Sequence, residues 1–551
     1  MGAGCTMSLP ANRKVGLPEH ARPDPHRDLV HALLDPACYP HPVRQVEHIE
    51  THISDVFLTG EYAYKLKKPL DLGFLDFSTL EKRRSCCEEE LRLNRRLAPE
   101  LYLEVVPISG RPAQPRICGD GEPFEYAVRM QQFDQAGMLE RVLARGELTG
   151  AHAYEIADLV AGFHATLPPA PPNSGYGNSE SIVGPALQNF DQLLPLIENE
   201  RDRAVLERLR QWTQAQHASL ASAFEQRRRE GFVRECHGDL HLGNMVLIEG
   251  RVRIFDCIEF SPLLRWIDVI NETAFLVMDL IQRRRPDLAF RFLNRYLEIT
   301  GDYAGVRLLR YYMVYRALVR AKVAAMRAAQ DDVERAAVPA LRAKCSAHLA
   351  LAEQLIEAAR PALAILHGLS GSGKTSVSQV ILESVGAIRI RSDIERKRLH
   401  GLSGNARSGS AVGQGMYTDA AGAATYGRLA ELASRVLEAQ FPALVDATFL
   451  EHGQRERFRL LAREMHAPFA ILHIEASELE LRRRIAQRTD DASEATSAVL
   501  DRQLQTQDAL TGDERERTWT IETEQMDQRE IAERSQQWLG QLTAGPRAPL
   551  L

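Results

Sequence analysis

The 551 residues contain no uninterrupted apolar run of the roughly 18–20 residues that a membrane-spanning helix requires, which excludes a helical membrane protein. The first residues also lack the apolar core of a secretory signal. Eight cysteines (Cys5, Cys38, Cys86, Cys87, Cys118, Cys236, Cys257, Cys345) form no C-x-x-C pair and have no histidines at zinc spacing. That argues against a zinc ribbon or a disulfide framework and fits a reducing, cytoplasmic setting. A basic excess is missing too: 68 Lys and Arg against 74 Asp and Glu leave a net charge of -6. Nucleic acid is therefore not expected as a partner of the whole chain, although a local basic patch stays open.

The length suggests roughly three or four compact units of about 100–200 residues, each able to bury its own core. Residues 1–27, with prolines at 10, 18, 23 and 25 and little apolar content, read as a flexible leader, so folding is expected to begin near Asp28. Met1-Gly2-Ala3-Gly4-Cys5-Thr6 matches the bare N-myristoylation pattern, but so short a pattern carries little weight, and no membrane partner is expected.

What the chain does contain is His237-Gly238-Asp239-Leu240-His241-Leu242-Gly243-Asn244, followed by Asp256 at the end of a short apolar strand. An acid and an amide five apart on one loop, then a second acid, is the layout of an ATP and Mg²⁺ phosphotransfer site. Asp239 would orient and deprotonate an acceptor hydroxyl, while Asn244 and Asp256 hold the metal. Gly238 and Gly243 would let the backbone turn tightly. The stretch resembles the aminoglycoside phosphotransferase family, relatives of the protein kinases, whose catalytic loop reads H-G-D-x-H-x-x-N. The resemblance implies a two-lobed α+β domain over residues 28–345, with an N-lobe at 28–133 and a C-lobe at 134–345.

In the implied N-lobe, 55–58 and 62–67 read as strands around the turn Thr59-Gly60-Glu61. Alternation places Lys65 and Lys67 on one face with Ala63, and Tyr62, Tyr64 and Leu66 on the other. Ala63-Tyr64-Lys65 resembles the A-x-K signature of the lysine that reaches the nucleotide phosphates; Lys67 is the alternative. The capping-box spacing Ser78-Thr79-Leu80-Glu81 opens a helix to about Leu97, on which Glu90 shares a face with Leu93, Asn94 and Leu97 and is the candidate partner of Lys65. Two further strands are expected at 103–108 and 124–130, then a hinge at 129–133 where the resemblance implies adenine contacts. No G-x-G-x-x-G loop is present here, a departure from protein kinases.

Beyond 134 the pattern is helical, with a Pro/Gly-rich break at 168–177. Leu263 to Ile281 reads as one buried helix, in which Asp268 either bonds the catalytic loop or caps a helix. On a helix over 307–327, Arg316, Arg320 and Arg327 fall near one face, either as a basic wall for an anionic acceptor or, preferred, as a solvated or salt-bridged stripe. Residues 346–360 read as a helical connector.

A second phosphate site follows in a region expected at 361–545. The strand Ala362 to His367 runs into Gly368-Leu369-Ser370-Gly371-Ser372-Gly373-Lys374-Thr375, a G-x-x-x-x-G-K-[ST] loop in strand–loop–helix context. Main-chain N–H groups from Gly368 to Thr375 would cradle phosphate, Lys374 would supply charge, and Thr375 would offer its hydroxyl to Mg²⁺. Asp393 and Asp446 each end an apolar strand, where ligands bind in open α/β sheets. They are the candidate acceptor base and the Walker B-like acid respectively. Further strands at 469–475 and 518–522 complete a parallel sheet. Arg484 and Arg488, four apart, resemble the lid of small P-loop kinases such as gluconate and shikimate kinases; a solvated helix face is the other reading.

These expectations combine into an ATP- and Mg²⁺-dependent phosphotransferase acting on a hydroxyl of a small molecule, with one kinase-like and one P-loop ATP site. Two other readings stay open: a nucleotide-sensing regulator with one slow half, and a nucleic-acid end kinase in the C-terminal half.

Overall fold

A computed structural model describes residues 24–542 except 72, 74, 331–332, 358–360, 405–415, 417 and 488–495. Contacts divide the chain into two compact units. One comprises the chain up to Leu91 with Glu100–Gln132; the other comprises Arg92–Pro99 and everything from Phe133 onward.

The first unit is built on a six-stranded antiparallel sheet in the order Glu47–Glu50, Ser54–Leu58, Tyr62–Lys67, Glu125–Gln131, Tyr102–Arg111, Gln114–Ile117. Alternation along Tyr62–Lys67 packs Tyr64 and Leu66 into a core with Leu33, Phe57, Val106 and Ile108. The two outermost strands escape a hydrophobic reading because Glu47, Glu50, Gln114 and Arg116 dilute them, as is usual for sheet edges. Residues 25–27, read as part of the leader, belong to a helix. A helix opens at Pro25, where Asp24 accepts the N–H groups of His26 (3.0 Å) and Arg27 (3.3 Å), and Leu29 and Leu33 bury beneath it. Residues 1–23, including the myristoylation pattern, lie outside the described residues.

The second unit combines a helical body with a five-stranded, wholly parallel sheet in the order Ile388–Arg391, Ala443–Asp446, Leu363–His367, Phe469–Glu475, Thr518–Glu522. The central strand Leu363–His367 is buried along its whole length, as expected of a strand covered on both faces. One continuous cluster of buried side chains runs from Leu139 to Ile531, so the helical body and the parallel sheet share a core instead of each burying its own.

Three sequence expectations need correction. The segment 263–281 is not one helix. Pro262–Arg265 forms a single turn, Trp266–Asp268 pairs antiparallel with Val233–Glu235, and a second helix runs Val269–Gln282. Strand pairing overrides helical periodicity there, and Asp268, in extended backbone, caps the second helix through the N–H of Ile270 at 2.9 Å. Of the residues read as a connector, 346–356 belong to helix Val338–Ile356, which packs along helix Val306–Ala328 and buries Cys345, His348, Leu349, Ala352 and Leu355, while 358–360 lie outside the described residues. Asp393 does not end a strand. Its strand stops at Arg391, and the acid lies in the first turn of helix Ser392–Leu399.

Candidate functional site

In the first unit, helix Leu80–Asn94 carries Glu90 and strand Tyr62–Lys67 carries both candidate lysines. Lys65 Nζ lies 2.8 Å from Glu90 Oε1 and Lys67 Nζ lies 2.5 Å from Oε2, all three side chains being buried. Burial acts to raise the Glu90 pKa, but the two ammonium groups outweigh it and hold the carboxyl below its ordinary range. One buried carboxylate thus neutralises two lysines, which Lys65 alone would not have required.

In the second unit the His237–Asn244 loop closes on itself. Asn244 Nδ2 donates to Asp239 Oδ2 at 2.8 Å and to the Asp239 carbonyl at 3.0 Å. His241 Nδ1 accepts the Gly243 N–H at 3.0 Å, so its Nε2 carries the proton and faces Asp239 Oδ2 at 3.2 Å. Burial pushes the Asp239 pKa up, but His241, Arg320 and His237 outweigh it, and the carboxyl stays well below its usual range. Its side chain keeps 31% exposure. His237 Nε2 donates to the Phe255 carbonyl (2.8 Å), and the Phe255 N–H donates to the Asn244 carbonyl (3.0 Å), which sets Asp256 next to the loop. Asp256 itself takes φ +66°, a backbone strain that an aspartate tolerates better than most residues.

The two loop glycines serve different needs. Gly238 has φ +88°, and a Cβ there would stand 2.9 Å from the Leu264 carbonyl. Gly243 is not in the left-handed region; a Cβ would instead collide with the His241 ring at 2.8 Å, so space and not turning is what excludes a side chain.

The residues that anchor this loop are mostly ones the sequence did not single out. Glu272 Oε1 accepts the Gly238 N–H at 2.7 Å, and its Oε2 meets His164 Nε2 at 2.7 Å. Asp279 Oδ2 accepts the Leu242 N–H at 3.0 Å. Arg316, expected in solvent or a salt bridge, is buried instead. It donates to the Gly238 carbonyl (2.9 Å) and Asn271 Oδ1 (2.7 Å) and stacks on Phe275. Arg320 Nη1 stands 3.2 Å from His241 Nε2, and Arg327 donates to Gln330 at 2.6 Å. Asp268 takes the capping role and pairs with Arg227, which also holds Asp302. The available signal was the acids at 272 and 279 in an otherwise apolar helix, since buried carboxylates demand partners.

The P-loop joins strand Leu363–His367 to helix Lys374–Val385. Lys374 Nζ donates to the carbonyls of Gly368 (2.9 Å) and Leu369 (2.8 Å), folding back over the loop. Arg484 Nη1 donates to the Ser372 carbonyl (3.2 Å) and Thr523 Oγ1 (2.9 Å), its Nε to Glu480. It therefore braces the loop from outside, while Arg482 and Arg483 form the exposed salt-bridged face and Arg488 lies outside the described residues. Gln503 Oε1 accepts the Ser370 N–H at 2.9 Å. Asp446 ends strand Ala443–Asp446, and Ser378 Oγ lies 3.1 Å from its Oδ2. Asp393 is placed within 3.5 Å of Arg396 on its own helix. A cavity of about 400 Å³ opens beside Gly368, Leu369 and Ser372 and is walled by His473, Glu475 and Gln507.

Compared with known proteins, residues 77–309 match the Phosphotransferase enzyme family and residues 363–510 match an AAA domain. The uncharacterized protein Rv2004c of Mycobacterium tuberculosis (strain H37Rv) is 30% identical over 472 residues, 84% of this chain and 91% of that one. The chain belongs to the family of that protein. The uncharacterized protein Mb2027c of Mycobacterium bovis matches to the same extent. This chain joins a phosphotransferase-family region and an AAA-domain region. Among solved structures, a gluconokinase from Sinorhizobium meliloti is 24% identical, covering 34% of this chain and 95% of that one at a TM-score of 0.25. The amicoumacin kinase hAmiN is 14% identical, covering 60% and 94% at a TM-score of 0.37.

The donor sets suit a hard divalent cation. In the phosphotransferase region the Asn244 amide nitrogen donates to Asp239, and its oxygen and the Asp256 carboxylate are the hard donors that would hold such an ion. In the P-loop region the Thr375 hydroxyl and Asp446 offer the same hard oxygens. No helix among the described residues is long and apolar enough to cross a membrane.

Proposed function

We propose that the chain is an ATP-dependent phosphotransferase with two nucleotide sites, each passing a γ-phosphoryl group to a hydroxyl of a small molecule. The observation that supports it best is Asp239. Both His241 Nε2 and Asn244 Nδ2 fall on its Oδ2, leaving Oδ1 as the oxygen that receives a proton. A carboxylate held ionised in this way orients an acceptor hydroxyl and takes its proton as the oxygen attacks. Asn244 and Asp256 would hold Mg²⁺, which when bound neutralises charge on the phosphates. Lys65, steadied by Glu90, serves the nucleotide phosphates of this half.

In the P-loop half, the Ser370 to Thr375 N–H groups and Lys374 bind phosphate, Arg484 braces the loop, and Thr375 with Asp446 would hold the metal. Asp393 is the proposed acceptor base. We place the phosphotransferase half at about residues 25–356, including helices Pro25–Ala32 and Val338–Ile356, and the P-loop half from 361.

Asp239→Ala and Lys374→Ala, made separately, test the assignment with labelled ATP. Each should abolish one activity, and ATP turnover that survives both changes together would refute it. A second reading applies to the P-loop half alone: slow hydrolysis used as a switch, favoured by the bond from Gln503 to the Ser370 amide. Single-turnover rates distinguish the two, since a switch hydrolyses without any acceptor and gains nothing from a metabolite pool.

A further inference from the structure

The outermost strand of the parallel sheet, Ile388–Arg391, has one edge paired with Ala443–Asp446. Its other edge is covered by helix Pro286–Thr300 of the phosphotransferase region. Asn294 on that helix donates to the Ala387 carbonyl (2.9 Å) and accepts the Arg389 N–H (2.6 Å), and Tyr303 donates to the Arg389 carbonyl (3.2 Å). Main-chain groups that an edge strand leaves open are thus satisfied by side chains of the other half. That explains why the helix is buried on two sides, with Asn294 and Glu298 hidden among its apolar residues.

The Arg389 side chain is gripped from the same helix. Glu298 Oε1 accepts from its Nε at 3.0 Å and its Nη2 at 2.7 Å, both residues being nearly inaccessible. Its remaining nitrogen, Nη1, donates to Ser378 Oγ at 3.1 Å. An oxygen that accepts from a guanidinium must direct its own proton elsewhere, and the acceptors in reach are the Thr375 carbonyl (3.0 Å) and Asp446 Oδ2 (3.1 Å). Arg391, the neighbour of Asp446 in strand register, lies 3.8 Å from Glu298 as well.

We infer that Glu298 is a positioning residue for the P-loop site. Through Arg389 and Ser378 it sets the orientation of Asp446, so the phosphotransferase half tunes the metal affinity of the P-loop half. The inference rests on the P-loop reading given above. Among the described residues Glu298 is the carboxylate that pairs directly with this buried guanidinium, and a serine fixed between it and a second carboxylate transmits its position in a way that a solvated pair would not.

The full-length chain carrying Glu298→Gln is titrated with a fluorescent ADP analogue, with and without Mg²⁺. Only the binding component lost in Lys374→Ala is scored. Glu298→Gln should weaken the Mg²⁺-bound component about fivefold while leaving the metal-free component at parental strength, the size of one charge-assisted hydrogen bond reduced to a neutral one. Ser378→Ala removes only the hydroxyl in the middle of the chain. It should reproduce the selective loss, and it decides the matter if Glu298→Gln does not fold. Equal losses with and without metal, or no loss in either variant, overturn the inference. A parent chain with no Lys374-dependent binding at all overturns the P-loop reading itself, which is a separate result.

Discussion

Glu272 holds Gly238 by its main-chain N–H at 2.7 Å, while the other oxygen of the same carboxylate holds His164 at 2.7 Å. A buried acid on one helix thereby fixes the residue next to the proposed base Asp239. Glu272→Ala leaves a buried N–H and a buried imidazole without their acceptor and should cost about 2–3 kcal/mol of stability. Urea unfolding reads this directly. A loss below about 0.5 kcal/mol, the size of an ordinary surface change, would show that the contact does little.

Arg316 grips the same glycine from the carbonyl side and Asn271 at once. A lysine keeps the charge but lacks the planar fork that reaches both acceptors. Arg316→Lys should therefore lower kcat of the phosphotransferase half by about tenfold with KM for ATP nearly unchanged, since it moves the loop and not the nucleotide contacts. Steady-state kinetics with an identified acceptor would show the split, and unchanged kcat would count against the anchor.

At the P-loop, Gln503 occupies the Ser370 N–H, a group proposed to meet phosphate. Gln503→Ala removes that competitor and should tighten nucleotide binding about threefold, corresponding to part of one hydrogen bond. Weaker binding would mean instead that Gln503 contacts the nucleotide.

His367, on the strand entering the P-loop, lies 2.6 Å from His473. Burial first, then His473, pull its pKa down to about 3. Because the folded value lies below the unfolded one near 6.5, the stability from the neutral ring is complete above pH 6.5 and lost as pH falls toward 3. At pH 5 the loss should be about 1–2 kcal/mol. Tm measured from pH 7 to pH 5 should fall less steeply in His367→Gln than in the parent, and parallel curves would refute the assignment.

Both loops proposed to serve phosphate chemistry were readable from the chain because their pattern is local: Asp239 and Asn244 sit five residues apart, and Gly368 to Thr375 are contiguous. Strand 469–475 was also visible from its apolar run Phe469 to Leu472, and 518–522 from its β-favouring Thr, Trp and Ile, although only Ile521 of that edge strand is buried. The break at 266–268 was not, because pairing with Val233–Glu235 depends on a segment some thirty residues away. The arginine stripe misled for a related reason: helical periodicity assigns a face, but only packing says whether that face meets water, and Arg316 meets Gly238.

By itself the amino-acid order determined which segments form the two loops proposed to meet phosphate, through glycines, acids and amides at short spacing that constrain their own backbone. Tertiary structure alone decided which distant group neutralises each buried charge: Glu90 serving two lysines, Glu272 holding Gly238, Glu298 holding Arg389 across 91 residues. Local spacing acts through bonds the chain cannot avoid. The partner of a buried charge is chosen by the packing that removes water from around it.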